Sequence, residues 1–197
     1  MKNAFAILSL FAIVSLVAIA ATAPVQPAGV DTKSSYITWK AYKVTGSHYG
    51  KVMLKNGDLD FTNGKLTGGS FEIDMTTITC EDMQGGGAQK LVGHLKSDDF
   101  FGVEKYPTAK FVITKAAEAK PGEYRIKGDL TIKSTTKAIS FDAKITEKEG
   151  NKVATATIKI DRSEFDVRYG SGSFFDNLGD KTIYDEFDLE VNLVVAK

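Results

Sequence analysis

The chain predicts an all-β fold, an eight-stranded antiparallel barrel with one short helix near residues 87–96. Three observations carry this reading. Apolar and polar residues alternate in segment after segment, strong turn dipeptides separate the segments, and one stretch changes to helical spacing.

Alternation is clearest at the C-terminus. Phe187, Leu189, Val191, Leu193 and Val195 share one face, and Glu186, Asp188, Glu190 and Asn192 share the other. Tyr124, Ile126, Leu130 and Ile132 oppose Arg125, Lys127, Asp129 and Lys133. The same period sets Ile139, Phe141, Ala143 and Ile145 against Ser140, Asp142 and Lys144, and Ala154, Ala156, Ile158 and Ile160 against Thr155, Thr157 and Lys159. Phe71, Ile73 and Met75, and then Phe111 and Ile113, mark further runs. A period of two is that of a strand with one buried face.

Asn56-Gly57, Asn63-Gly64, Pro121-Gly122 and Gly150-Asn151 are turn dipeptides. They divide the chain into strands near 34–44, 48–61, 65–79, 108–118, 123–133, 137–147, 152–162 and 182–196. Short connections make an antiparallel meander. Two stretches break the pattern. Ala88, Leu91 and Leu95 have helical spacing before a turn at Ser97-Asp98-Asp99. Residues 163–181, rich in Gly, Ser and Asp around Phe165, Phe174 and Phe175, read as a long loop.

Eight antiparallel strands hide their edges by closing into a barrel or by splitting into a sandwich. The outward residues are charged, so the apolar face points inward, and no aromatic girdle marks a lipid-facing band. A barrel of this size is filled by side chains or holds one slim ligand. Alternation alone leaves both open, with a packed core as the default.

The N-terminus has the order of an export signal: Lys2, an apolar run from Phe5 to Ala20, then Ala21-Thr22-Ala23-Pro24. The run approaches the length of a membrane span, but the small residues favour cleavage near Ala21 or Ala23. The organisation is then a signal peptide at 1–23, a linker at 24–33 and the barrel domain at 34–197, with a periplasmic or secreted location. No stable membrane insertion follows signal cleavage.

Charge is balanced, 25 basic against 25 acidic residues, which gives no field to attract nucleic acid. Cys80, the sole cysteine, cannot form an internal disulfide. The two histidines, His48 and His94, lack the spacing of a metal site, so no metal is expected. There is no G-x-S-x-G. The glycine runs at 85–87 and 170–172 lack the lysine and the strand–helix context of a phosphate loop. Asp98-Asp99 and Asp185-Glu186 read as turn carboxylates. Arg162, at a strand end, has two readings: a bidentate contact to an anionic head group, or, more simply, an ion pair with Asp161, Glu164 or Asp166.

Several strings together resemble one family. Val44-Thr45-Gly46-Ser47-His48-Tyr49-Gly50 is similar to its early H-x-G motif. Leu91-Val92-Gly93-His94-Leu95-Lys96-Ser97-Asp98-Asp99-Phe100-Phe101, followed by Tyr106-Pro107-Thr108-Ala109-Lys110-Phe111, is similar to its central signature. Gly128-Asp129-Leu130-Thr131-Ile132-Lys133 and Asp161-Arg162-Ser163-Glu164-Phe165 are similar to its G-x-L-T-I and D-R-S/T-x-F segments. The chain thus resembles the YceI-like, polyisoprenoid-binding family from about residue 30 onward. Ser34-Ser35 stands where many members have His-Ser, and Ser134 where a glycine is usual.

The resemblance implies a lipocalin-like barrel whose apolar cavity takes an isoprenoid chain such as a quinone tail or a polyprenyl phosphate. It also implies a helix covering one mouth and no catalytic residues or cofactor. The candidate lining residues are Phe71, Ile73, Phe111, Ile113, Ile126, Leu130, Phe141, Ile158 and Phe165. The candidate polar head-group contacts are His48, His94 and Arg162. The expected partner is a polyisoprenoid or other long-chain lipid, held by a carrier or scavenger, and exposed strands leave a homodimer open. Two alternatives stand beside this: a packed-barrel envelope protein that interacts through Phe174 and Phe175, and a barrel enzyme in which His48, His94 and a carboxylate converge inside.

Overall fold

A computed structural model describes residues 23–195. The signal-peptide segment before them lies outside the described residues. The strands are β1 (Gln26–Gly29), β2 (Tyr36–Lys43), β3 (Gly46–Thr62), β4 (Lys65–Asp74), β5 (Thr108–Lys120), β6 (Glu123–Ile132), β7 (Thr135–Lys148), β8 (Asn151–Asp161) and β9 (Ile183–Val195), with helix α1 at Gly85–Lys96. Strands β2 to β9 are hydrogen-bonded in the order β3-β2-β9-β8-β7-β6-β5-β4, and β3 pairs with β4 to close the barrel. All pairings are antiparallel.

The alternation becomes the barrel wall. On β6, Tyr124, Ile126, Leu130 and Ile132 are buried and Arg125 and Lys127 are exposed. The expected 65–79 strand stops at Asp74. The Asp74 carboxylate accepts the Thr76 N–H at 3.0 Å and caps a 3-10 turn over Met75–Thr77. Helix α1 begins two residues before the expected start, at Gly85, whose φ of 64° sets the turn into it.

The linker reading of 24–33 needs correction, because β1 lies within it. It pairs with the second half of β3, from Gln26↔Phe61 to Gly29↔Asp58, while β2 pairs with the first half. Val30 then bridges to Val195. Pro27 is tolerated because β1 pairs on one side only, where a missing N–H costs no ladder bond. An Asp31 carboxylate accepting from Lys33 N–H and Ser34 Oγ makes the break between β1 and β2. Fully buried Ser35 closes the break by accepting the Val194 N–H at 2.8 Å.

Both long excursions lie at one end of the barrel. Residues 75–107, which include α1, and residues 162–182 join it to the 43–46 and 132–135 hairpins. The other end carries the hairpins at 62–65, 120–123 and 148–151. At the first end the β7–β8 ladder opens. The two strands pair only from Ala143↔Ala156 to Lys148↔Asn151, so the first half of β7 pairs with β6 alone. A 3-10 turn at Arg162–Phe165 leaves β8 beside this gap. It is capped by Asp161, which accepts from Ser163 N–H at 2.8 Å, and tethered by Lys133 Nζ, which donates to the Asp166 carbonyl at 2.8 Å.

Candidate functional site: an apolar cavity

The barrel encloses a cavity of about 170 Å³ whose described lining carries no charged side chain. Eight of the nine expected lining residues meet there: Phe71, Ile73, Phe111, Ile113, Ile126, Leu130, Phe141 and Ile158. Phe165 does not line it. The strand ends at Asp161, the 3-10 turn redirects the chain, and Phe165 is packed into the core with 1% of its surface exposed.

The wall is uneven. Trp39, Val52, Leu54, Phe71 and Ile73, on β2 to β4, are buried. Ile139, Phe141, Ala143, Ala156, Leu189 and Val191, on β7 to β9, are only partly covered and line the same space. The less covered part of the wall is therefore mostly on β7 to β9. Three phenyl rings run across the wall from β4 through β5 to β7, Phe71 and Phe111 at 6.5 Å and Phe111 and Phe141 at 5.5 Å between centroids. Sequence reasoning left out Trp39, although Ile37, Trp39 and Ala41 alternate on β2. Trp39 faces the cavity and donates its Nε1–H to the Thr79 carbonyl at 3.1 Å.

The three candidate head-group residues lie elsewhere. His48 Nδ1 is 2.7 Å from the Asp82 carboxylate, which also takes the Tyr49 N–H at 3.0 Å and the Cys80 thiol at 3.3 Å. Burial works to raise the Asp82 pKa, but these donors outweigh it and hold the carboxyl at about 2. Burial and the neighbouring Asp82 raise the Cys80 thiol above its ordinary value, which makes it a poor nucleophile at neutral pH. His94 Nε2 lies 3.1 Å from Asp99, with the rings of Phe100 and Tyr169 edge-on at 4.9 and 4.5 Å. The two histidines do not converge in the cavity, contrary to what a barrel enzyme built on them requires.

Arg162 is 5% exposed, and each of its three nitrogens donates to a backbone carbonyl. Its Nε, Nη1 and Nη2 donate to the carbonyls of Tyr184, Val167 and Ile183 at 3.2, 2.9 and 3.0 Å, and Nη2 lies 3.2 Å from Asp185. The expected ion pair with Asp161, Glu164 or Asp166 is corrected to one with Asp185, which stands on β9 where the long loop returns to the barrel. Burial lowers the Arg162 pKa, opposed by Asp185 and Asp161.

At the capped end, Ile78 and Phe101 line the cavity, and Leu91 and Leu95 of α1 pack against the core. Lys96 at the end of α1 donates to the Thr76 carbonyl at 2.6 Å. The excursion therefore covers this mouth, as the resemblance implied.

A family model described as YceI-like domain matches residues 29–195. The chain belongs to the YceI-like family. Among its relatives, a UPF0312 protein of Vibrio parahaemolyticus is 28% identical over 183 residues, 85% of this chain and 93% of that one. A UPF0312 protein of Shewanella denitrificans is 29% identical over 118 residues, a match spanning 58% of this chain and 59% of the relative's own length. BcnA of Burkholderia cenocepacia has a similar solved structure, with a TM-score of 0.66 at 21% identity over 85% of this chain and 99% of that one. A polyisoprenoid binding domain from Saccharophagus degradans, implicated in plant cell wall breakdown, superposes with a TM-score of 0.61 at 11% identity over 85% and 96%. These structures share the barrel.

Proposed function

We propose that this protein binds a long apolar chain of the isoprenoid type inside its barrel, as a carrier or scavenger, and is not an enzyme. The observation that carries the reading is the uncharged lining of a closed barrel. The solved polyisoprenoid binding domain of the same fold supports it. The signal-like N-terminus supports export to the periplasm or medium.

Energetics favour an apolar guest. An engineered apolar cavity of roughly 150 Å³ stays dry and admits one small aromatic molecule. The space here is about 170 Å³, enough for the first part of a chain. The rest is accommodated along the side chains of β7 to β9 that are only partly covered. Each methylene buried is worth about 0.8 kcal/mol, so a chain of many carbons binds with few polar contacts.

Native mass spectrometry of the full chain, expressed with its N-terminal segment and purified from envelope fractions without detergent, tests this. The expected result is a bound mass released by organic solvent and lost in Phe111→Asp. An apo mass that also refuses added quinones and polyprenyl phosphates overturns the reading. The exposed rings of Tyr169, Phe174, Phe175 and Tyr184 at the capped end favour a second reading, an interaction surface for an envelope partner, which that negative outcome would leave standing.

A further inference from the structure

We propose that Gly57, with Gly128, keeps the bore of the barrel open at its middle and so lets the cavity admit a long apolar chain. The inference rests on the ligand reading above. Gly57 on β3 stands directly opposite Phe71 on β4, and Phe71 opposite Phe111 on β5. A Cβ on Gly57 would lie 2.6 Å from Phe71 Cδ1 and 3.3 Å from Cε1. A Cβ on Gly128 of β6 would lie 2.4 Å from Phe111 Cζ and 2.6 Å from Cε2. Each ring therefore occupies the place of the side chain that its neighbouring strand lacks.

Neither glycine makes a turn: the turn expected at Asn56-Gly57 is corrected to the interior of β3, and neither glycine has a left-handed φ. A glycine inside a strand weakens it and marks a close approach. Here the approaching group is a ring, and the effect is to lay Phe71 and Phe111 against the wall and leave the lumen clear. Beyond this level the cavity continues past Leu59 and Leu66 toward the hairpin end and past Met75 and Ile78 toward the capped end. A chain that fills both halves has to pass the rings.

A methyl group at position 57 evicts the Phe71 ring, and the lumen is the free space available to it. Gly57→Ala is the informative change, since the groups within 3.3 Å of its new Cβ are ring atoms, whereas a Cβ at 128 also meets the Val112 carbonyl at 2.5 Å. The probes are linear prenyl alcohols of increasing isoprene number. Binding is read by the fluorescence of Trp39, the chain's one tryptophan, which lines the cavity.

In the unaltered protein, affinity is expected to climb with chain length. Gly57→Ala should match it for the shortest alcohols, then plateau, and bind the longest about tenfold or more weakly. Phe71→Leu placed in the same chain should restore the climb. A Gly57→Ala profile that tracks the unaltered protein at every length, or that is weaker by one constant factor, overturns the proposal. If Gly57→Ala does not fold, Phe71→Leu alone is read: it should raise affinity for the longest alcohols relative to the shortest, and an unchanged profile overturns the proposal. An unaltered protein that binds no member of the series fails earlier, at the ligand reading itself, and takes this proposal with it.

Discussion

The Arg162 guanidinium lies 3.2 Å from the Asp185 carboxylate and ties the start of the long loop to the start of β9. The pair is well covered, with 5% and 16% of the side chains exposed. Asp185 Oδ1 has no donor in hydrogen-bonding alignment, so the contact is an ion pair rather than a fork. Asp185 Oδ2 accepts from Ser171 and Ser173 hydroxyls at 2.9 and 2.7 Å.

Removing the arginine leaves a covered carboxylate and three carbonyls without their donor. Loss of one partner from a buried pair costs about 3–5 kcal/mol. The two serines still solvate Asp185, so Arg162→Ala is expected to lose about 3 kcal/mol in urea denaturation. Affinity for an apolar chain, measured on the folded fraction, should stay within about twofold, because Arg162 does not line the cavity. A large loss of affinity with little loss of stability would instead return Arg162 to a head-group role.

Asp82 gives a pH signature. Its folded pKa of about 2 is below the ordinary 3.8. A depressed carboxyl pKa adds stability that is fully present above about pH 4 and is lost as the pH falls through about 2. The full shift is worth roughly 2 kcal/mol, less what solvent screens from a side chain 19% exposed. Asp82→Asn should therefore cost about 1–2 kcal/mol at pH 7, and the gap between the two proteins should close between about pH 4 and pH 2. A gap that is constant with pH would show that the charge is not what stabilises.

The strands were legible because burial on one face imposes a period of two, and eight lining residues follow from it directly. What stayed hidden depends on partners far along the chain. β1 forms because β3 is long enough to offer an edge to two strands, and nothing within Gln26–Gly29 announces that. Arg162 is held by backbone carbonyls of residues 167, 183 and 184, which carry no sequence signal. Phe165 sits four residues beyond Asp161, where a turn has already ended the alternation. His48 finds its carboxylate 34 residues away.

Phe165 and Phe141 separate core from cavity. Phe165 is 1% exposed and packed beside the gap between β7 and β8, whereas Phe141 is partly covered and already borders free volume. Truncating a packed phenylalanine costs about 3–5 kcal/mol, and the cost is lower where the site borders empty space. Phe165→Ala is expected to fall in that range and Phe141→Ala below about 2 kcal/mol. Binding should show the reverse order, with the larger loss in Phe141→Ala. Equal stability costs would mean that the barrel is packed throughout.

Filling the cavity is the complementary change. Ala156 faces Ala143 at the last paired rung of β7 and β8, and both line the cavity on its partly covered side. Leucine at 156 adds carbons to space that is free when no guest is bound, each worth about 0.8 kcal/mol if it fits. In a filled core the same change costs about 1–3 kcal/mol by overpacking. Ala156→Leu is therefore expected to leave stability unchanged or raise it by up to about 2 kcal/mol, while isoprenoid binding weakens about tenfold or more. Thermal melts and Trp39 titrations on one preparation measure both. A destabilised variant that still binds would place the free volume elsewhere in the barrel. A stabilised variant that binds nothing would identify the space beside Ala156 as the part of the molecule kept open for a guest at the expense of its own stability.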